Sequence, residues 1–201
     1  MLTSFPIVLA SQSPYRRQLL EEAGFLVEPF ATGIPEPEPL ELGDLHTGLA
    51  VLAVMKAGAA RKAGKTGLIL ACDTVSYVNG AVVQKPVDRD DARRMLLAIS
   101  DNSHEVLTGW CLLRTENELL VSGVETTRLR MRPWTEAEIE AYLDTGEWAG
   151  KCGGYGLQMP SDPFVVQMEG SAANVIGVPI ERVRRVLAEI PTLVATPPRR
   201  A

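Results

Sequence analysis

FPIVLASQSPYRRQLL, residues 5–20, runs from a short apolar segment straight into a helix start. Phe5–Ala10 reads as a buried strand. Ser13 is a good N-cap, Pro14 suits the first helical position, and Gly24 can close the helix. Leu19, Leu20 and Ala23 form its inward face.

The same alternation continues outward. PFATGIPEPEPLELG (residues 29–43) is rich in proline, glycine and glutamate and reads as a loop. Leu45–Ala63 reads as a second helix, rich in alanine and leucine. Gly67–Cys72 is an apolar run of strand length that continues through Asp73–Val78 into Asn79-Gly80, a hairpin signal with AVVQKP as the return strand. Asp88, with Asp90 and Asp91 in the first turn, opens a third helix that turns Ala92, Met95, Leu96 and Ile99 inward. Val106–Leu113 and Leu119–Met131 read as paired strands, and Thr135 with Glu138 forms a capping box for a helix through Leu143 that Gly146 closes. A strand at Phe164–Met168 and a helix at Pro179–Ile190 follow. The expectation is a mixed α/β fold: a central sheet flanked by helices, with a smaller lobe and no internal repeat.

Composition narrows the function classes. The chain has 201 residues, 46% hydrophobic and 22% charged, which supplies a core and excludes wholesale disorder. A net charge of −5 and a pI near 5.2 argue against binding duplex nucleic acid. Any anionic ligand must be held by a few placed cations. Cys72, Cys111 and Cys152 show no C-x-x-C spacing, so neither a disulfide framework nor a zinc site is expected, and a reducing cytoplasm fits. No signal peptide or bilayer-length apolar stretch is read, so no membrane partner is expected.

The chemistry concentrates near the ends of the first strands. Arg16 and Arg17 lie in a first helical turn, where the macrodipole is already positive, so the placement favours a bound anion. Free backbone N–H groups, the Ser11 and Ser13 hydroxyls and the Arg16 fork all suit phosphate oxygens. Arg16 shares the inward face with Leu19, Leu20 and Ala23, whereas Arg17 turns toward solvent. Asp73 ends the strand GLILAC, where a carboxylate is either a metal ligand or base, or a hydrogen-bonded strand end. Lys56 lies on an apolar helix face and must either snorkel or find an anion. An ideal two-residue turn pairs Thr74 with Lys85, which puts Asp73 and Lys85 on opposite faces unless the chain departs early. His104 reads as structural and His46 as exposed, and the cysteines read as small core residues. Three cations (Arg16, Lys56, Lys85), two carboxylates (Glu36, Asp73) and a helix N-terminus together suit a polyphosphate with a divalent metal, Mg²⁺ or Mn²⁺.

LASQSPYRRQLL, LAVMKA, ACDTV followed by KP, SDNSHEVLTG, GKCGGYGLQ and GSAANVIGVPI resemble, in order, the motifs of the Maf family of nucleoside triphosphate pyrophosphatases. The resemblance implies one Maf-like domain over residues 1–190, a flexible tail over 191–201, and an elongated fold related to the inosine triphosphatases with a cleft between two lobes. It implies a cytoplasmic homodimer that cleaves a nucleoside triphosphate to the monophosphate and pyrophosphate with a divalent metal. Ser11, Arg16, Lys56 and Lys85 fall on phosphate-binding positions, Asp73 on the proton acceptor, and Glu36 with Asp73 on the metal site. Thr74 and Gln158 match base-selecting positions of the dTTP/UTP branch, which implies dTTP, UTP and modified pyrimidine nucleotides as substrates. Tyr15 departs from the arginine usual in that branch and matches the aromatic of the 7-methyl-GTP branch, which stands as the alternative specificity. A nucleotide-binding regulator of cell division is the alternative of a different class.

Overall fold

The computed structural model describes residues 6–157 and 162–190. Strands β1 (Ile7–Leu9), β2 (Val27–Pro29), β3 (Leu68–Val78), β4 (Ala81–Val83), β5 (Ser103–Arg114), β6 (Leu119–Met131) and β7 (Val165–Glu169) alternate with six α-helices. The helices are α1 (Pro14–Glu22), α2 (Leu45–Lys62), α3 (Arg89–Ile99), α4 (Glu136–Asp144), α5 (Ala172–Ile176) and α6 (Ile180–Glu189). The strands hydrogen-bond in the order β2-β1-β3-β5-β6-β7, with β4 added on β3. The mixed α/β reading holds. The chain divides into two compact units, one from Met1–Asp73, Thr108–Glu125 and Gly177–Ala201, the other from Thr74–Leu107 and Thr126–Ile176.

The first unit contains β1, parallel to β2 and to the start of β3, with Val8 opposite Ile69 and Leu9 opposite Leu70. Ile7, Leu9 and Leu68–Cys72 are fully buried. Parallel strands covered on both faces need such unbroken apolar runs, which is why these segments do not alternate. Helix α2 lies on one face, where Ala53, Ala57 and Ala60 pack on Val8, Ala10, Ile69, Ala71, Cys111 and Leu113. Small side chains on α2 permit a close approach. At Gly109 a β-carbon would stand 2.2 Å from the Leu49 carbonyl oxygen, so the glycine lets β5 touch the helix backbone.

In the second unit α3 and α4 close a core of Val78, Ala92, Leu96, Val106, Leu129 and Trp134. Its local signals form as the sequence implies. Asn79 and Gly80 both take positive φ between β3 and β4, Asp88 caps α3, and Thr135 with Glu138 makes a full capping box. Three features differ from expectation. Pro29 closes a short β2, whose VEP has no apolar pattern. Residues Pro39–Leu42 of the proline-rich segment form a 3₁₀ turn, and GSAANVIGVPI holds the five-residue helix α5. Phe5 and the expected tail, 191–201, lie outside the described residues. No described helix is long and apolar enough to cross a membrane.

Candidate active site

The site assembles where the carboxyl end of β1 adjoins the middle of β3: Asp73, read from the sequence as a strand end, lies inside a strand that runs on to Val78. Because these strands are parallel neighbours, the chain leaving β1 at Ala10 lies beside β3 as it continues toward Asp73: the Ala10 amide donates to the Leu70 carbonyl at 2.8 Å. Ser11 follows, and α1 starts at Pro14 with no acidic residue in its first turn. The Ser13 hydroxyl caps the helix by accepting from the Arg16 amide at 3.4 Å. Ser11 Oγ accepts from the Ser13 amide at 3.1 Å and from Arg16 Nη1 at 3.3 Å. The same Nη1 donates to the Cys72 carbonyl at 2.9 Å, which fastens the arginine to the residue before Asp73. Arg17 turns outward to pair with Glu21, as its helical phase requires.

Asp73 and Lys56 meet across the face that α2 covers. Asp73 shares its strand face with Ala71 and Ile69, by the two-residue alternation of strands. Lys56 projects from between Leu52, Ala53 and Ala60 and is only 6% exposed. Its Nζ lies 2.5 Å from Asp73 Oδ1 and 2.8 Å from Glu36 Oε2. Of the two outcomes open to a lysine on that face, finding an anion is the one realised. A buried ammonium without such partners would be strongly unfavourable. Glu36 is half-exposed and reaches in from the proline-rich segment.

Two glycines that motif reading passes over set this geometry. Gly109 seats α2, as described above. Gly48 lies on the same α2 face as Leu52 and Lys56, two turns before the lysine. A β-carbon there would stand 1.9 Å from the Pro39 carbonyl oxygen, so Gly48 lets the segment carrying Glu36 lie against the helix. A glycine inside an otherwise helical pattern was the available signal.

Cys72 is fully buried, and burial pushes its thiol up to about 11, so it offers no nucleophile. Burial raises the Cys111 thiol to about 12 in the same way. Cys152 is only half-buried, a correction to its reading as a core residue: its thiol donates to the Thr74 carbonyl at 2.9 Å. His104 is buried, and burial lowers its pKa to about 4, while His46 is exposed. Tyr15 is 46% exposed on the first turn of α1.

Thr74 and Lys85 belong to the second unit. Thr74 follows Asp73 on β3 and so faces the other side of the strand. The expected Thr74–Lys85 pair does not form. The ladder runs from Val78 opposite Ala81 to Ser76 opposite Val83 and stops there. The Gly153 amide takes the Gln84 carbonyl at 2.9 Å, and Pro86 has no N–H to offer a ladder. Lys85 is therefore released from the strand and exposed. Gln158 lies outside the described residues; the segment before it is held where the Gly156 amide donates to Tyr142 Oη at 3.0 Å.

Comparison with known proteins matches residues 6–190 to the family described as "Maf-like protein". The "dTTP/UTP pyrophosphatase" of Bdellovibrio bacteriovorus is 37% identical over 188 residues, covering 91% of this chain and 97% of the relative. Proteins of the same description from Anaeromyxobacter and Halalkalibacterium halodurans are 38% and 39% identical over 189 and 182 residues. These alignments cover 92% and 90% of this chain and 89% and 94% of the relatives. Among solved structures, the Staphylococcus aureus Ham1 protein aligns with a TM-score of 0.43 at 15% identity, over 63% of this chain and 72% of that one.

Proposed function

This chain belongs to the Maf family, and from that premise we propose that it hydrolyses nucleoside triphosphates, dTTP and UTP foremost, to the monophosphate and pyrophosphate. The observation that supports the reading is the mixed-charge site of the first unit. There Arg16, Ser11 and the α1 N-terminus adjoin an aspartate held by a buried lysine.

Hydrolysis needs a water oxygen to bond to the α-phosphorus while the bridging oxygen toward the β-phosphorus departs with the pyrophosphate. Lys56 engages Asp73 Oδ1, which leaves Oδ2 to take the proton of the attacking water. Arg16 and Ser11 bind phosphate oxygens at the helix N-terminus, where backbone N–H groups already favour an anion. Lys85, exposed beyond the β4 ladder, is a further phosphate cation of this proposal. Thr74 and Gln158 select the base, and Tyr15 offers it a stacking face.

Glu36 and Asp73 fit a hard divalent cation, Mg²⁺ or Mn²⁺, because both carboxylates already converge on one cationic atom, Lys56 Nζ. Among the described residues no group of three or more acidic, histidine or cysteine side chains gathers. Phosphate oxygens and water would complete the coordination, as is usual for Mg²⁺. Such an ion, when bound, withdraws charge from the phosphates and acidifies water.

The three free cysteines fit a reducing compartment, so we place the enzyme in the cytoplasm. The test is pyrophosphate release from a panel of nucleotides with and without Mg²⁺. Release from dTTP and UTP that depends on metal is expected. Turnover of 7-methyl-GTP alone would overturn the base assignment, and binding without release would overturn catalysis in favour of a regulator.

A further inference from the structure

The Lys56 ammonium occupies a place that its phosphate-binding role does not explain. It sits among the apolar side chains of α2, nine-tenths buried, and both of its partners are the carboxylates read as metal ligands. We propose that Lys56 is a resident cation: in the free enzyme it holds Asp73 and Glu36 together, and it makes binding of a divalent ion depend on the triphosphate. The inference rests on the metal role of those two carboxylates and adds what governs their occupancy.

Charge balance carries the argument. Two carboxylates alone carry −2, which a divalent ion neutralises. With the ammonium between them they carry −1, and a divalent ion would leave the pocket at +1. Like charges at such short range in a poorly solvated site are costly. Lys56 projects from among Leu52, Ala53 and Ala60 and is 6% exposed, so moving its ammonium into water would require the side chain to leave that seat. A triphosphate supplies the missing negative charge, so metal and nucleotide enter together. The ammonium then remains beside Asp73 as a positioning group that keeps Oδ1 occupied.

The experiment is titration of nucleotide-free protein with MnCl₂ by calorimetry, on the wild type, Lys56→Met and Lys56→Gln. Methionine matches the length of the lysine stem and suits its apolar surroundings. The wild type is expected to bind Mn²⁺ weakly and both variants at least about tenfold more tightly at one site. A non-hydrolysable α,β-methylene dTTP, corrected for its own Mn²⁺ binding, is expected to tighten Mn²⁺ on the wild type far more than on the variants. Variants that bind Mn²⁺ no better than the wild type would overturn the inference. If Mn²⁺ binds none of the proteins even with the analogue, the metal reading of Asp73 and Glu36 fails instead. Should neither variant fold by circular dichroism, the wild type decides alone: Mn²⁺ bound as tightly without the analogue as with it overturns the inference.

Discussion

Lys56 Nζ lies 2.5 Å from Asp73 Oδ1, an ion pair joining the middle of α2 to β3. Their surroundings are dry on the lysine side and more open on the carboxylate side, with side chains 7% and 15% exposed. Such a pair is poor evidence of stability, because desolvation offsets most of the attraction. Its value is orientation: the ammonium fixes one oxygen of the carboxylate, Oδ1.

Asp73→Asn keeps the size of the side chain and an acceptor for Lys56 but removes the proton acceptor. Pyrophosphate release is expected to fall by about 10²–10⁴-fold, with a folded circular dichroism spectrum. Full-rate turnover would end the role given to Asp73.

Arg16→Lys retains the charge but loses the planar guanidinium, whose Nη1 donates to both Ser11 Oγ and the Cys72 carbonyl. A lysine ammonium is a point charge on a flexible stem, without the rigid fork that matches phosphate oxygens. KM for dTTP is expected to rise about tenfold or more, with a smaller change in kcat, measured by steady-state pyrophosphate release. An unchanged KM would remove Arg16 from phosphate binding.

Gly48→Ala drives a β-carbon into the Pro39 carbonyl, and neither backbone can yield without moving the segment that bears Glu36. Destabilisation of about 2–3 kcal/mol by urea unfolding is expected, together with loss of turnover. Gly109→Ala strikes the Leu49 carbonyl instead. It should destabilise comparably but act on the site by lifting α2. A Gly48→Ala protein with wild-type stability would show that the close approach is not maintained.

His104 links stability to pH. Burial holds its folded pKa at about 4 against an ordinary 6.5, and Nδ1 has no hydrogen-bond partner among the described residues. Between these values the unfolded chain binds the proton and the folded one does not. Acid therefore favours unfolding across that window, by up to about 3 kcal/mol. Stability should be complete above pH 6.5 and decline toward pH 4. His104→Gln should flatten that part of the profile in urea unfolding measured against pH; identical slopes in both proteins would refute the assignment.

The elements legible from the residues are those whose causes lie within a few positions. Ser13-Pro14 opens α1, Asn79-Gly80 turns β3 into β4, and Thr135 with Glu138 opens α4. In each, the group satisfied and the group satisfying it are near neighbours in the chain. The apolar runs IVL and LILAC likewise announce strands covered on both faces. The identity of the charged residues was also legible, because an ammonium on an apolar face and a carboxylate at a strand end are anomalies that demand a partner.

Which partner each anomaly takes depends on segments that only folding brings together. Lys56 had two physically sound outcomes, and the ion pair won because Gly109 and Gly48 allow α2 to lie against both β5 and the proline-rich segment. Lys85 obeys the hairpin register only as far as Val83, because Gly153 claims the Gln84 carbonyl from almost seventy residues downstream. Hydrophobic periodicity reports how a residue relates to its own helix or strand. A glycine inside a helix marks that something can come close, but which segment does so, and which donor wins an acceptor, is decided between distant segments.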